Sequence, residues 1–275
     1  MASNSFGEVF RFTTFGESHG TAVGVIIDGC PAGIVISQTD IAEKLHKRKG
    51  GMNPFVTERK EADDPKILSG VFEGQTTGAP IAILIENKDC AGSAYEAIKD
   101  TLRPGHANFT YLEKYGIFDW RGGGRASARE TVCRVAAGAV ASKIVEQEGI
   151  LILSYLKEAG GVGCQRAISC TQEMKRRIGA SPIFCPDEEG EKAIKTAIQA
   201  AKDDHDSIGG LVETLVDCIP SGLGDPVYQK IEARLAFAML SLPASKGFEV
   251  GSGFSSASMR GSDHNDSFIN NDGHF

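Results

Sequence analysis

The sequence predicts an α+β protein in which strands and helices form one body with two weakly repeated halves. Residues 22–37 alternate between apolar and polar side chains, and residues 127–144 place apolar side chains at helical spacing. The segment IIDGCPAGI at 26–34 also returns as LVDCIPSGL at 215–223, each time before a helical pattern. Chance similarity between two Pro-Gly turns explains this repeat equally well. No low-complexity linker interrupts the chain, so we expect one domain over residues 1–275.

The N-terminal third predicts two strands, a helix, a loop and two further strands. Residues 22–37 predict two strands joined by CPAG, and QTDIAEKLHKRK predicts a helix capped by Thr39 or Asp40. The polar segment 50–66 predicts a loop long enough to be functional. PKILSGVFEG and APIAILIENKD predict a strand pair linked by QTTGA.

The remainder of the chain predicts mainly helices. Ser127 and Glu130 have the S-x-x-E spacing of a capping box before a run of apolar residues at helical positions. Residues 172–203 predict one or two exposed helices interrupted by SPIFCPDEEG, and VYQKIEARLAFAMLSL predicts another. After FEVGSGF we expect a polar loop to the end of the chain.

Composition excludes several classes of protein. The net charge is −7 and no basic tail exists, which disfavours nucleic-acid binding. No apolar run reaches about eighteen residues, and MASNSFGEVF lacks the basic and apolar regions of a secretory leader, so we expect neither a membrane span nor export. The seven cysteines form no C-x-x-C pair, which disfavours a metal site or disulfide framework and suits the reducing cytoplasm.

The segment GESHG, residues 16–20, has the G-x-S-x-G form of a nucleophilic serine turn. Only fifteen residues precede it, too few for the sheet that such a turn requires, so Ser18 is not expected to be a hydrolase nucleophile. A structural role in a turn is the default for a lone histidine. The flanking glycines allow close approach of a ligand, however, and favour His19 as a proton donor.

Two further loops combine glycine with cationic side chains. LRPGHAN places Arg103 beside His106, although an ordinary surface loop has the same composition. WRGGGRASARE is the strongest feature, because three glycines open onto a predicted helix start and favour a bound phosphate or carboxylate. Its three arginines would repel one another and therefore need anions nearby: Arg121, Arg125 and Arg129. From the residues alone, the protein is an enzyme for a small polyanion, with histidines as proton donors.

These segments together resemble the chorismate synthase family. TTFGESHGTAVGVIIDGCPAG and RGGGRASARETVCRVAAGAVA are similar to two of its motifs, and LRPGHANFTYLEKYG, DSIGG and SLPASKGFEVGSGF follow in the expected order. The resemblance implies a homotetrameric lyase with a β-α sandwich fold. It would convert 5-enolpyruvylshikimate-3-phosphate to chorismate by a 1,4-anti elimination of phosphate, with reduced FMN as cofactor and NADPH or an external reductant to keep the flavin reduced.

The resemblance also implies residue roles. His19 would protonate or stabilise the flavin, and His106 would protonate or hydrogen-bond the departing phosphate. The substrate or NADP contacts would come from Arg48, Arg103, Ser127 and Arg129. The FMN contacts would come from Arg125, Ala126, Ser127, Pro243 and Ala244.

The chain departs from the family pattern at three places. Pro54 stands near a usual arginine, Asn108 replaces the aspartate of RPGHAD, and the flavin loop and R-x-D-P motif that follow in the family are absent. We therefore expect a C-terminal truncation that weakens FMN binding. The alternatives are a truncated chain that folds or oligomerises without activity, and an unrelated anion-binding hydrolase or phosphotransferase. The latter would need a P-loop or a well-placed serine turn, and neither is present.

Overall fold

The structure is a computed structural model that describes residues 3–57, 61–88, 92–164 and 166–268. The chain divides into two compact units, Met1–Ile219 and Pro220–Phe275. Helices and antiparallel sheets both occur, which confirms the α+β class. The single domain expected over residues 1–275 stays a prediction.

The strands of the first unit form two sheets and a hairpin. The described residues before position 89 contain β1 (Ser5–Phe6), β2 (Arg11–Gly16), β3 (Ala22–Asp28), β4 (Pro65–Ile67), β5 (Val71–Phe72), β6 (Gln75–Thr76) and β7 (Ile81–Glu86). Five of them form an antiparallel sheet in the order β1-β2-β3-β7-β4, and β5 and β6 pair with each other. A second antiparallel sheet has the order β10-β8-β9 and consists of β8 (Leu151–Ala159), β9 (Val162–Gly163) and β10 (Gly210–Asp217).

The first unit also contains five described α-helices. These are α1 (Gln38–Arg48), α2 (Asn108–Tyr115), α3 (Thr131–Gln147), α4 (Gln172–Ala180) and α5 (Glu188–Asp203). The expectation of one or two helices over 172–203 is confirmed as two, separated by residues 181–187.

The main core lies between the five-stranded sheet and two helices. Alternate residues of β3 and β7 point to one face, and Val25 lies opposite Ile83 in the pairing register. Ile41 and Leu45 of α1 are fully buried in the same core. Burying each such side chain contributes about 1.5–3 kcal/mol. α3 adds a face of small and β-branched residues: Val132, Cys133, Ala136, Ala137, Ala139 and Val140.

Two local expectations in this region are wrong. Only one strand forms within 22–37, because Val35 makes only an isolated bridge to Gln75. α1 is capped by Ser37, not by Thr39 or Asp40, since the Ser37 side chain accepts from the Asp40 N–H. The Asp40 carboxylate accepts in return from the Ser37 N–H, at 2.8 Å, which completes a capping box.

The predicted strand pair around residues 65–89 is confirmed, with an insertion. β4 pairs with β7 in antiparallel register, Lys66 opposite Leu84. The chain between them, however, forms the hairpin of β5 and β6, so Gln75 and Thr76 are strand residues instead of turn residues. The polar segment 50–66 has no regular structure in its described residues until β4 begins at Pro65.

The weak sequence repeat has the same local backbone in both copies. Asp28 and Asp217 are the last residues of β3 and β10, and each carboxylate accepts from the next N–H, at 3.0 Å and 2.9 Å. Gly33 and Gly222 occupy matching positions with φ of 84° and 85°. This agreement favours a true repeat over chance similarity.

The second unit contains α6 (Ile231–Leu240) and α7 (Gly261–His264), with a 3-10 turn over Gly253–Ser258 between them. The expectation of a purely polar loop after FEVGSGF is therefore wrong for the described residues. Across the described ranges, no helix has the length and apolar character that crossing a bilayer requires.

Candidate active site

His19 lies in the loop that joins β2 to β3. The side chain of the preceding Ser18 is buried, and its backbone N–H donates to the Gly124 carbonyl at 3.1 Å. The Ser18 hydroxyl lies 3.1 Å from His19 Nδ1, and the edge of the imidazole meets the Tyr95 ring with centroids 5.0 Å apart. Because Ser18 is buried, its hydroxyl is poorly placed to attack a substrate, as expected from the sequence. The neighbouring His19 is partly exposed and is the candidate for contact with a ligand.

The three glycines of RGGGR form a turn that packs against this histidine. Gly122, Gly123 and Gly124 all have positive φ, at 58°, 81° and 52°. A Cβ on Gly122 would stand 2.0 Å from His19 Cε1 and Nδ1, and one on Gly124 would stand 2.5 Å from the Asp119 carbonyl. Glycine is therefore required both for the backbone conformation and for close contact with His19.

The capping box predicted at the start of α3 is absent. Ser127 caps only a short 3-10 turn, Ala128–Glu130, by accepting from the Arg129 N–H at 3.4 Å, and α3 starts at Thr131. Glu130 does not reach back to Ser127. Its carboxylate accepts instead from Thr14 Oγ1 at 2.9 Å and from Arg134 Nε at 2.8 Å. Glu130 thus ties α3 to β2.

Two of the clustered arginines already donate hydrogen bonds to other groups of the protein. Arg121 donates to both carboxylate oxygens of Asp119 at 2.8 Å, and this interaction lowers the pKa of Asp119. Arg125 Nη2 donates to the carbonyl and hydroxyl of Thr14, and Nε donates to Asn4 Oδ1 at 3.3 Å. Arg125 Nη1 is buried and has no hydrogen-bond partner among the described residues. Nη1 of Arg125 is therefore a buried donor that no described group occupies.

A cavity of about 250 Å³ borders this turn. Its walls join the RGGGR turn to the LRPGHAN segment and include Tyr111, Phe118, Arg125, Ala126, Ala107 and Asn108. His106 directly precedes two of these residues and is exposed. Its N–H donates to the Arg103 carbonyl at 3.3 Å, and its Nδ1 lies 3.3 Å from the Pro104 carbonyl. The structure therefore brings the two predicted loops together at one cavity.

Arg129 lies in a buried ion-pair cluster that the sequence did not predict. Its guanidinium is 2% exposed and donates to Asp63 Oδ1 and, at 2.8 Å, to Asn87 Oδ1. Asp63 Oδ2 accepts from Arg48 at 3.0 Å. The anions that these arginines require include carboxylates of the protein itself, Asp119 beside Arg121 and Asp63 beside Arg129. Direct contact of Arg129 with substrate would require exchange of these partners, and that role stays a prediction.

Two residues that contact the His19 loop were not predicted from the sequence, and two predicted FMN contacts lie in the second unit. Asn87 and Tyr95 contact the His19 loop, but an amide after a strand and a tyrosine in a polar segment are too common to mark a site. Pro243 and Ala244 follow α6 in the second unit, and Ala244 has a φ of 66°. Within the described ranges, no group of three metal-ligating side chains comes together.

Comparison with known proteins gives one consistent family. A family model described as chorismate synthase matches residues 10–274. The chain is 53% identical to a chorismate synthase of Protochlamydia amoebophila and 50% identical to one of Methanosarcina mazei, over 99% of its own length and 75% and 74% of theirs. A crystal structure of a chorismate synthase superposes with a TM-score of 0.79 at 33% identity, covering 94% of this chain and 73% of the other.

Proposed function

The chain belongs to the chorismate synthase family, and from this premise we propose that His19, His106 and the arginines around them perform its reaction. The reaction is that of a carbon–oxygen lyase, which eliminates phosphate from 5-enolpyruvylshikimate-3-phosphate to give chorismate. One observation supports this assignment of residues above the others. The His19 loop and the RGGGR turn are in direct contact, so a proton donor and a cationic anion site share one surface.

We propose reduced FMN as the cofactor, and the residues present suit it. Arg125 Nη1 is a buried cationic donor without a described partner, as expected of a group that awaits an anionic or carbonyl acceptor. The cavity beside it has aromatic walls in Tyr111, Tyr115 and Phe118, which suit a flat ring. Arg125, Ala126 and Ser127 would hold the flavin from the turn, whereas the FMN contacts that the resemblance implies for Pro243 and Ala244 stay predictions.

When bound, reduced FMN supplies electron density to the substrate and a base for the ring hydrogen. His106 protonates the departing phosphate oxygen. In its charged form, Nδ1 donates to the Pro104 carbonyl and Nε2 remains for the phosphate. His19, held between Gly122 and Tyr95, keeps a proton at the flavin side of the site.

The substrate carries one phosphate and two carboxylates, and we assign these anionic groups to Arg48, Arg103, Ser127 and Arg129. Guanidinium groups suit them because they donate in paired, planar geometry. NADPH or an external reductant would keep the flavin reduced. A homotetramer in the cytoplasm completes the proposal.

Anaerobic turnover with chemically reduced FMN tests the proposal. Where reduced FMN is saturating, we expect the 275-residue chain to form chorismate. We expect Arg125→Gln to raise the FMN concentration for half-maximal rate about tenfold, because a hydrogen bond from a charged group contributes about 1.5–3 kcal/mol. Arg176→Gln on α4 is the control, since its side chain is 78% exposed and pairs only locally with Glu173.

Two outcomes would contradict parts of this reasoning. Equal FMN requirements in the Arg125 and Arg176 variants would remove the flavin role of Arg125. Absence of chorismate at saturating reduced FMN, with the chain shown to be folded, would mean that the described residues do not suffice for the chemistry.

A further inference from the structure

Asp63 is a buried carboxylate that holds two arginines at once. Its side chain is 2% exposed and lies two residues before β4 begins. One oxygen accepts from Arg129 and the other accepts from Arg48 at 3.0 Å. The buried charge of this carboxylate is stabilised by the two guanidinium groups, because a buried charge without a partner would be costly.

Asp63 is held in place by its ion pair with Arg129, which is itself hydrogen-bonded. The guanidinium of Arg129 is 2% exposed, and its Nε donates to Asn87 Oδ1 at 2.8 Å. The Asn87 amide donates in turn to the carbonyls of Glu17 and Gly20, at 3.0 Å and 2.8 Å, on either side of His19. The anchor for Asp63 is thus connected to the loop of the proposed proton donor.

Arg48 differs from Arg129 in its exposure. It ends α1, and its side chain is 25% exposed while it donates to Asp63 from Nη1. A guanidinium presents a rigid fork of donors, so holding one nitrogen restricts the directions that the others can take. The Asp63 carboxylate therefore restricts the orientation of the Arg48 guanidinium.

We propose that Asp63 is a positioning residue, which orients Arg48 for an anionic group of the substrate without touching the substrate itself. This inference rests on the proposed substrate role of Arg48. The anchor through Arg129 and Asn87 explains how the Asp63 carboxylate helps to keep the Arg48 side chain ordered before substrate arrives. Such pre-organisation strengthens binding by reducing the entropy lost on association.

Calorimetric titration of 5-enolpyruvylshikimate-3-phosphate into the flavin-free 275-residue chain tests the inference, with kcat and KM measured beside it. We expect Asp63→Asn to weaken substrate binding at least tenfold and to raise KM more than it lowers kcat. Asp64→Asn is the matched control, because Asp64 is the next residue in the chain and its side chain is 72% exposed. Its ion pair with Lys88 Nζ is long, at 3.8 Å. The control should bind substrate as the parent chain does.

A double variant separates this inference from the function on which it rests. If Asp63 acts through Arg48 and not through Arg129, then Arg48→Gln combined with Asp63→Asn should bind no more weakly than Arg48→Gln alone. Multiplying effects would overturn the inference, as would normal binding by Asp63→Asn when Arg48→Gln binds poorly. Normal binding by Arg48→Gln itself would instead show that the substrate role proposed for Arg48 is wrong.

Thermal melting establishes that each variant is folded. Asp63→Glu serves as a second test, since it keeps the charge and moves the carboxylate by one methylene. We expect it to fold and to bind substrate several-fold more weakly than the parent chain, because the Arg48 fork is displaced. If Asp63→Asn does not fold, unchanged binding by Asp63→Glu would overturn the inference.

Discussion

Replacement of Gly122 by alanine should impair catalysis far more than the same change at Gly123. The two glycines are neighbours in one turn, with φ of 58° and 81°, so alanine is strained at both. A left-handed backbone costs a residue with a Cβ about 1–2 kcal/mol. At Gly123 the nearest atom to a new Cβ is Ser127 Cβ at 3.9 Å, which is an ordinary contact. At Gly122 the new Cβ would overlap the His19 ring.

The displacement of His19 follows from the distances. The new Cβ would be 2.0 Å from His19 Cε1 and Nδ1, whereas ordinary contact begins at 3.4 Å. To reach 3.4 Å from 2.0 Å the ring must shift by about 1.4 Å, which disturbs its contact with Tyr95. A misplacement of about 1 Å at a reacting group can lower the rate about 100-fold. We expect that loss in kcat for Gly122→Ala, on top of the backbone cost that Gly123→Ala shares.

Anaerobic stopped-flow assay of phosphate release, with urea denaturation of both variants, measures these effects. Both should lose a similar free energy of unfolding, and only Gly122→Ala should lose most of its kcat. Equal kcat values in the two variants would refute a catalytic position for His19 against this turn. A much larger loss of stability in Gly122→Ala would show that the clash unfolds the loop instead of moving the ring.

Two further predictions concern charge and burial away from the site. Hydrogen bonds from Lys143 and Ser37 lower the pKa of Asp40 from 3.8 to about 2. Asp40→Asn should therefore lower the free energy of unfolding at pH 7 by about 1–2 kcal/mol, a value reduced because the carboxylate is partly exposed. That difference should vanish as the pH falls through 3.8 towards 2, and a constant difference in urea denaturation across this range would contradict it. Burial raises the pKa values of Cys133 and Cys164 to about 12, so iodoacetamide at pH 8 should label the exposed Cys218 before these two. Peptide mass mapping that shows Cys133 labelled as fast as Cys218 would contradict this.

Periodicity predicted the main elements because burial on one face dictates it. β3, β7 and α3 each place apolar residues at the spacing of their own backbone, and the core is built from those residues. The predicted cap of α1, Thr39 or Asp40, lies two or three residues after the actual one for a physical reason. Ser37, Thr39 and Asp40 are all suitable cap types, and only the extended backbone of Ser37, with ψ of 164°, decides among them.

The glycine-rich loops of the site were visible in the sequence because glycine beside histidine and arginine has few other uses. The pairing of Arg129 with Asp63 was not, because 66 residues separate them and only the folded sheet brings them together. Sequence composition shows how many cations a loop carries, but buried acceptors decide which donors remain for a ligand. Arg121 and Arg129 donate to Asp119 and Asp63, whereas Arg125, which lines the cavity, keeps one buried N–H group without a described partner. The acidic residues of the fold therefore limit which N–H groups of each arginine remain for a ligand.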